Sequence, residues 1–381
     1  MRKANAPIIE IHGTGIHNRG AELMAIAISE RMRHYYPEAK ITVPAHFGSP
    51  SDIKRYEFFA TLEKVRKKGI PSLLGCALTG RVIRANQVNV VLDASGFAFS
   101  DQWGSGIAER LVDKMNQPVR AKQLFIMLPQ ALGAFEQTPV KAAVTRLFQR
   151  AVLVCARDTQ SYKFSQPLIP DINKLRQCPD FTILLKPKVK NTIQLPKRFV
   201  AIVPNMRMVD KSGSAEDYLN FLKVAIDLIQ AQNMQPIFVA HDAKEDLNVL
   251  PMLGGHYASL PIYQDADPLV LKWILGQARF VIGSRFHALV STLSQGVPCI
   301  GAGWSHKYPE LFADFSTRET LIDDLKDLHA LEKQIALLSD DGYRIEKSEV
   351  ISFAAANLKQ QVEQMWEMVH CAIDKHLKST D

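Results

Sequence analysis

Short apolar runs alternate with amphipathic helical stretches along nearly the whole of this 381-residue chain, and that alternation is what most constrains its fold. Runs of strand length and apolar density stand at 8–12, 88–92, 124–128 and 151–155. Helical patterning fills 21–32, where Leu23, Met24, Ile26, Ala27 and Ile28 carry the apolar positions, and returns near 106–115 and 139–149. A strand that feeds a helix and then another strand predicts a parallel sheet with helices on both faces. A proline-rich stretch, 167–196, interrupts the series, with 181–185 as a last strand of the first half. A second series follows, with strands at 199–203, 236–240, 280–282 and 297–300 and helices at 215–231, 269–277 and 288–295. The tail, 348–378, reads as one or two long helices. The expected architecture is α/β: two doubly wound Rossmann-like domains facing a cleft, at 1–180 and 196–345, with a helical tail at 346–381.

Such a length suits two cores better than one, and 47% hydrophobic with 22% charged residues excludes a disordered chain. No apolar run reaches the ~18 residues of a membrane helix. Residues 1–7 lead into a strand-like run, not into the apolar core of a signal peptide. The five cysteines are scattered and form no C-x-x-C pair, which predicts reduced thiols in a cytoplasm. A net charge of +7 favours anionic partners, while the lack of zinc-finger spacing or an aromatic-glycine RNA signature argues against nucleic acid. Segment 54–84 holds eight Lys/Arg against two acidic residues, interleaved with Phe58, Phe59, Leu62, Val65, Leu73 and Leu74. It reads as a basic amphipathic helix, either lying on an anionic membrane surface or covering the domain as a solvated helix.

Open α/β sheets bind ligands beyond the carboxyl ends of their strands, so the loops that follow the apolar runs carry the chemistry. The richest is Gly283-Ser-Arg-Phe-His287, followed by Gly296-Val-Pro298 and Trp304-Ser-His-Lys307. Arg285 can grip a carboxylate or phosphate bidentately and Lys307 adds a point charge. His287, near a helix N-terminus, can donate to a phosphate or move a proton near neutral pH. The packing alternative is a core histidine beside a structural Arg–Asp pair. Gly13-Thr-Gly15 with Asn18 forms a βα turn whose amides suit an anion; its third glycine, Gly20, is displaced from the dinucleotide fingerprint. Glu22 lies in the first turn of the next helix, as a site group or as a complement to the helix dipole. Asp101 and Trp103 follow the 88–92 run, suited to sugar contacts or a base, or else to capping. Arg157 follows the 151–155 run as an anion ligand or a salt-bridge partner, and Arg207 repeats that logic in the second half. His12, His17 and His46 lack metal-ligand spacing, so no metal is expected.

These motifs, in this order and spacing, resemble the polysaccharide pyruvyl transferases. The resemblance rests on Gly13-x-Gly15 with Asn18-x-Gly20, Ser95-Gly96 with Asp101, Leu128-Pro-Gln130 with Gly133, Ala156-Arg-Asp158, and Ser284-Arg-Phe-His287 with Gly296-Val-Pro298 and Lys307. It implies a GT-B-like fold. It also implies transfer of pyruvate from phosphoenolpyruvate to two hydroxyls of a sugar, in a bacterial-type polysaccharide or its lipid-linked precursor, making a cyclic ketal without a cofactor. His287 would then act as acid or phosphate donor, and Asp101 or Glu22 as proton acceptor. Arg285 and Lys307 would hold the donor with Arg157 or Arg207, and Ser284, His306, Gly13, Gly15 and Asn18 would be further substrate contacts. A cytoplasmic protein, peripheral at the inner face of the membrane, fits such an acceptor. The rival expectations are a GT-B-type nucleotide-sugar glycosyltransferase and a membrane-associated scaffold.

Overall fold

The computed structural model describes residues 6–63, 69–211, 214–242 and 245–380. It divides into two units, Met1–Phe181 with Gln361–Asp381, and Thr182–Gln360.

The first unit runs β1 Ile8–His12, α1 Arg19–Tyr35, β2 Lys40–Pro44, α2 Pro50–Arg55, β3 Phe59–Leu62, α3 Ile70–Leu78, β4 Val82–Arg84, β5 Val90–Asp93, α4 Gly106–Met115, β6 Leu124–Gln130, α5 Thr138–Arg150, β7 Leu153–Ala156, α6 Thr159–Ser165 and β8 Leu175–Gln177. Among the described residues its strands form an eight-stranded sheet in the order β4-β3-β2-β1-β5-β6-β7-β8, parallel at every pairing. The order reverses between β1 and β5, which makes that junction the switch point where such sheets open a crevice. Central strands are covered on both faces: every residue of β6 is buried, as expected of a parallel sheet between helix layers.

The second unit runs β9 Phe199–Val203, α7 Met206–Lys211, α8 Ala215–Ala231, β10 Gln235–Val239, α9 Val249–Leu253, β11 Ile262–Tyr263, α10 Pro268–Gly276, β12 Val281–Gly283, α11 Phe286–Leu293, β13 Cys299–Ala302, α12 Lys307–Asp314, β14 Leu321–Ile322, α13 Leu328–Ser339 and the start of α14 Asp341–Thr380. Its sheet, in the order β11-β10-β9-β12-β13-β14 among the described residues, is again parallel, with its switch point between β9 and β12. Val200, Ile202, Phe238, Ile282 and Ile300 from these strands pack with Phe221, Leu222 and Ile226 of α8 and Leu331, Ile335 and Leu338 of α13 into one core.

Two expectations change and a third is narrowed. Segment 54–84 is not one amphipathic helix: α2 ends at Arg55, β3 and β4 extend the sheet, and α3 lies between them. Phe58, Ala60 and Ile83 are buried there, so the apolar residues anchor two short strands at one end of the sheet. Residues 64–68, with Val65, lie outside the described residues. The run at 181–185 forms a 3-10 turn, Phe181–Leu184, not a strand; Pro179 and Pro187 bracket the segment. The tail is a single helix, α14, whose last part belongs to the first unit. There Trp366 meets the Phe181 ring at 5.7 Å and Tyr36 donates to Asp374 at 2.8 Å. Among the described residues no helix is long and apolar enough to cross a membrane.

Candidate functional site

At the switch point of the first unit, β1 ends on His12 and β5 ends on Asp93, which are register partners. His12 Nδ1 lies 3.0 Å from Asp93 Oδ1. Asp93 is fully buried and also accepts from Ser95 Oγ at 2.7 Å and Gln130 Nε2 at 2.9 Å. A carboxylate fixed on this many donors holds the proton on Nδ1 and leaves Nε2 as the acceptor nitrogen. The imidazole keeps 17% of its surface exposed, so it is oriented but reachable. Gly13 makes this junction sterically feasible: its φ is +79°, and a Cβ there would sit 2.3 Å from Ser95 Oγ.

Two residues back on the same face of β1, Glu10 accepts from Lys114 at 2.7 Å, Arg120 at 2.9 Å and Thr61 at 3.2 Å. Glu63 takes the remaining reach of Lys114 and Arg120, at 2.7 and 2.6 Å. Burial pushes the Glu10 carboxyl up, but the Lys114 and Arg120 cations outweigh it and hold it at about 2. The floor beneath His12 is therefore a charge-balanced ionic layer. Burial, followed by the nearby His12 and Lys114, lowers the His46 imidazole.

The other residues singled out in this unit have partners of their own. Asn18 caps α1, accepting from Gly20 N at 2.8 Å and Ala21 N at 3.2 Å. Gly15 is buried in the same turn, where Ile16 N donates to Phe47 O at 3.0 Å. Glu22 is buried and accepts from Arg19 and from the Tyr56 hydroxyl. Asp101 receives the amides of Glu136 at 2.8 Å and Gln137 at 3.1 Å, tying its loop to the start of α5. Arg157 pairs with Asp180 at 3.1 Å, both side chains nearly inaccessible, which realises the salt-bridge alternative. The structure brings Gly13 to the His12–Asp93 pair and places Asp101, Glu22 and Arg157 in structural contacts.

In the second unit Ser284 is the knot of the switch point. Its carbonyl accepts from Asn205 Nδ2 at 2.7 Å and from Tyr308 Oη at 2.8 Å, and its hydroxyl lies 2.9 Å from Tyr218 Oη. The loops after β9, β12 and β13 are thereby stitched together at their carboxyl ends. His287 sits half-buried in the first turn of α11, and Lys307 opens α12, with His306 at its cap position. Lys307 Nζ lies 5.5, 5.4 and 5.3 Å from the ring centroids of Phe286, Trp304 and Tyr308, a three-sided aromatic wall that holds a cation by its π faces. The Phe286 ring also meets His287 edge-on at 5.4 Å, so one side chain positions both groups.

Arg285 departs from its expected role as an open anion ligand. It is 9% exposed; its Nε contacts both Asp246 oxygens at 3.0 and 3.1 Å, and its Nη2 lies 3.6 Å from Glu245 and 3.9 Å from Asp242. Burial opposes its charge, but Asp246, then Asp242 and Glu245, raise its pKa above the ordinary value. Arg207 faces the same acidic loop, 3.4 Å from Glu245 and 3.7 Å from Asp210. Among the described residues no group of three or more His, Cys, Asp or Glu is arranged to hold a metal ion.

The strand-end pattern singles out His287 and Lys307 but not the His12–Asp93 contact. The signal was present: each ends an apolar run. The acids around Arg285 lie in a loop with no motif.

A family model for polysaccharide pyruvyl transferases matches residues 18–306. A search of curated proteins gave no match. Solved structures share the fold. The S. aureus MnaA–UDP structure has a TM-score of 0.59 at 12% identity, covering 92% of this chain and 94% of that one. The Anabaena HepE structure with UDP and glucose has a TM-score of 0.56 at 13% identity, covering 97% and 100%. A UDP-GlcNAc 2-epimerase from Neisseria meningitidis bound to UDP-GlcNAc has a TM-score of 0.55 at 10% identity, covering 94% and 100%. At these identities the likeness establishes a two-domain Rossmann-like α/β fold of the GT-B kind.

Proposed function

The chain belongs to the polysaccharide pyruvyl transferase family and is a transferase, and on that premise we propose that it moves pyruvate from phosphoenolpyruvate to two hydroxyls of a sugar, forming a cyclic ketal. The acceptor is a polysaccharide repeat or its lipid-linked precursor. The observation that carries the donor assignment is the pairing of His287 with the aromatic-walled Lys307 through Phe286 at a switch point. Phosphoenolpyruvate presents a phosphate and a carboxylate on three carbons, and a fixed ammonium beside an imidazole is a donor set for such a small, highly charged anion.

The reaction balances as follows. His287, protonated, gives its proton to the donor methylene carbon, making a methyl group and a cation at the central carbon. One sugar hydroxyl adds to that carbon and loses its proton to a base. Phosphate then leaves with the C–O electron pair, its growing charge met by Lys307. The second hydroxyl adds to the regenerated cation, loses its proton and closes the ring. Within the first unit the His12–Asp93 pair is built as a general base: Asp93 fixes the tautomer of His12 and would steady the imidazolium that a proton transfer forms, the division of labour of a His–Asp pair. Arg285, locked to Asp246, sets the loop that presents His287 and contacts no donor atom.

The second reading is a nucleotide-sugar glycosyltransferase, favoured by the UDP held in the MnaA and HepE structures. Calorimetric titration separates the two. Saturable heat with phosphoenolpyruvate that disappears in Lys307→Met, with none from UDP, supports pyruvyl transfer; the reverse pattern supports the glycosyltransferase.

A further inference from the structure

Helix α3 is built inside out. Its inward face carries small residues: Ser72 and Cys76 are buried, Ser72 Oγ donates to Gly48 O at 2.8 Å, and a Cβ on Gly75 would lie 2.5 Å from Pro50 Cγ of α2. Three of its four large apolar side chains face outward. Ile70 is 44% exposed, Leu74 60% and Leu78 90%, and their four-residue spacing lines them along one face. Leu62, at the end of β3, is 43% exposed as well. A helix that served only its own domain would turn its leucines toward the core.

The surroundings of this stripe are cationic. Lys54 and Arg55 on α2 and Arg84 at the end of β4 are exposed, and Arg81 is partly so. Of the two acidic residues in 54–84, Glu63 is engaged by Lys114 and Arg120.

We propose that α3 docks on an anionic phospholipid bilayer, with Ile70, Leu74 and Leu78 in the headgroup–acyl boundary and the flanking cations on lipid phosphates. Charge complementarity selects this occupant over a second copy of the chain, because two copies joined through this stripe would bring like charges together. The proposal stands apart from the transfer reaction.

The test is co-sedimentation of the full chain with vesicles of phosphatidylcholine alone and of phosphatidylcholine mixed with phosphatidylglycerol. The chain binds the mixed vesicles, and added salt weakens the binding. Leu74→Glu with Leu78→Glu weakens it at least about ten-fold without changing the circular dichroism or melting temperature, since both side chains point to solvent. Lys54→Glu with Arg55→Glu weakens it several-fold, and this pair carries the test should the leucine variant misfold. Absence of wild-type binding overturns the proposal, as does binding that neither variant reduces. So does a dimer in light scattering that Leu78→Glu dissolves while vesicles stay unbound.

Discussion

His12 Nδ1 lies 3.0 Å from Asp93 Oδ1 where the strand order of the first sheet reverses. The second sheet is stitched at its own reversal by Asn205 Nδ2 and the Ser284 carbonyl at 2.7 Å. Each unit thus closes its switch point with a side-chain contact across the two diverging strands. In the first the contact leaves an oriented imidazole; in the second it sets the loops that carry His287 and Lys307.

If His12 is the base, His12→Gln lowers kcat by roughly 10²–10⁴-fold with little change in the KM for phosphoenolpyruvate. Asp93→Asn lowers it as well, because an amide can no longer select the Nδ1–H tautomer. Steady-state kinetics with a soluble acceptor, alongside circular dichroism, checks both; wild-type turnover in either variant removes the role.

On the donor side, Lys307→Met raises the KM for phosphoenolpyruvate by about ten-fold or more, the worth of one charge-assisted contact. His287→Ala abolishes transfer while the protein stays folded. Full activity in the alanine variant would exclude His287 from the chemistry.

Arg285 and Asp246 behave as a buried pair. Arg285→Met costs about 3–5 kcal/mol in urea unfolding, because it leaves the acids of the 242–246 loop uncompensated. Pairing it with Asp246→Leu recovers much of that loss. Additive costs in the double variant would show that the two are not coupled.

The Glu10 layer sets an acid limit. Its carboxyl falls from 4.5 to about 2 in the fold, so its stabilisation is complete above pH 4.5 and is lost as pH falls toward 2. Glu10→Gln is less stable than the wild type at neutral pH by about 3 kcal/mol, and the difference shrinks across that window. A difference that stays constant from pH 5 to about 2.5 would mean that Glu10 contributes packing alone.

Much of the fold is legible in the chain because buried parallel strands are written as dense apolar runs. The runs at 8–12 and 199–203 coincide with β1 and β9. Strands β2, β3 and β4 escape this reading: β2 opens on Lys40 and closes on Pro44, β3 is only four residues long, and β4 is three residues ending on Arg84. The 181–185 run has strand composition, but Pro179 and Pro187 bracket it and it turns as a 3-10 helix. The site divides in the same way. His287 and Lys307 are visible because each lies in the first turn of a helix a few residues past a glycine-marked strand end. The His12–Asp93 pair spans 81 residues, and the Arg285–Asp246 pair 39, so neither contact has a local signature. Arg285 looked like an open ligand because its counter-ions are set by topology alone.

The most direct measurement is product mass. The protein is incubated with phosphoenolpyruvate and a panel of sugar acceptors, and phosphate release is followed beside mass spectrometry of the acceptor. Pyruvyl transfer predicts one phosphate per acceptor and a mass gain of one pyruvate less one water, absent in His287→Ala. Phosphate release with an unchanged acceptor, or a modified acceptor formed only from a nucleotide sugar, would contradict it.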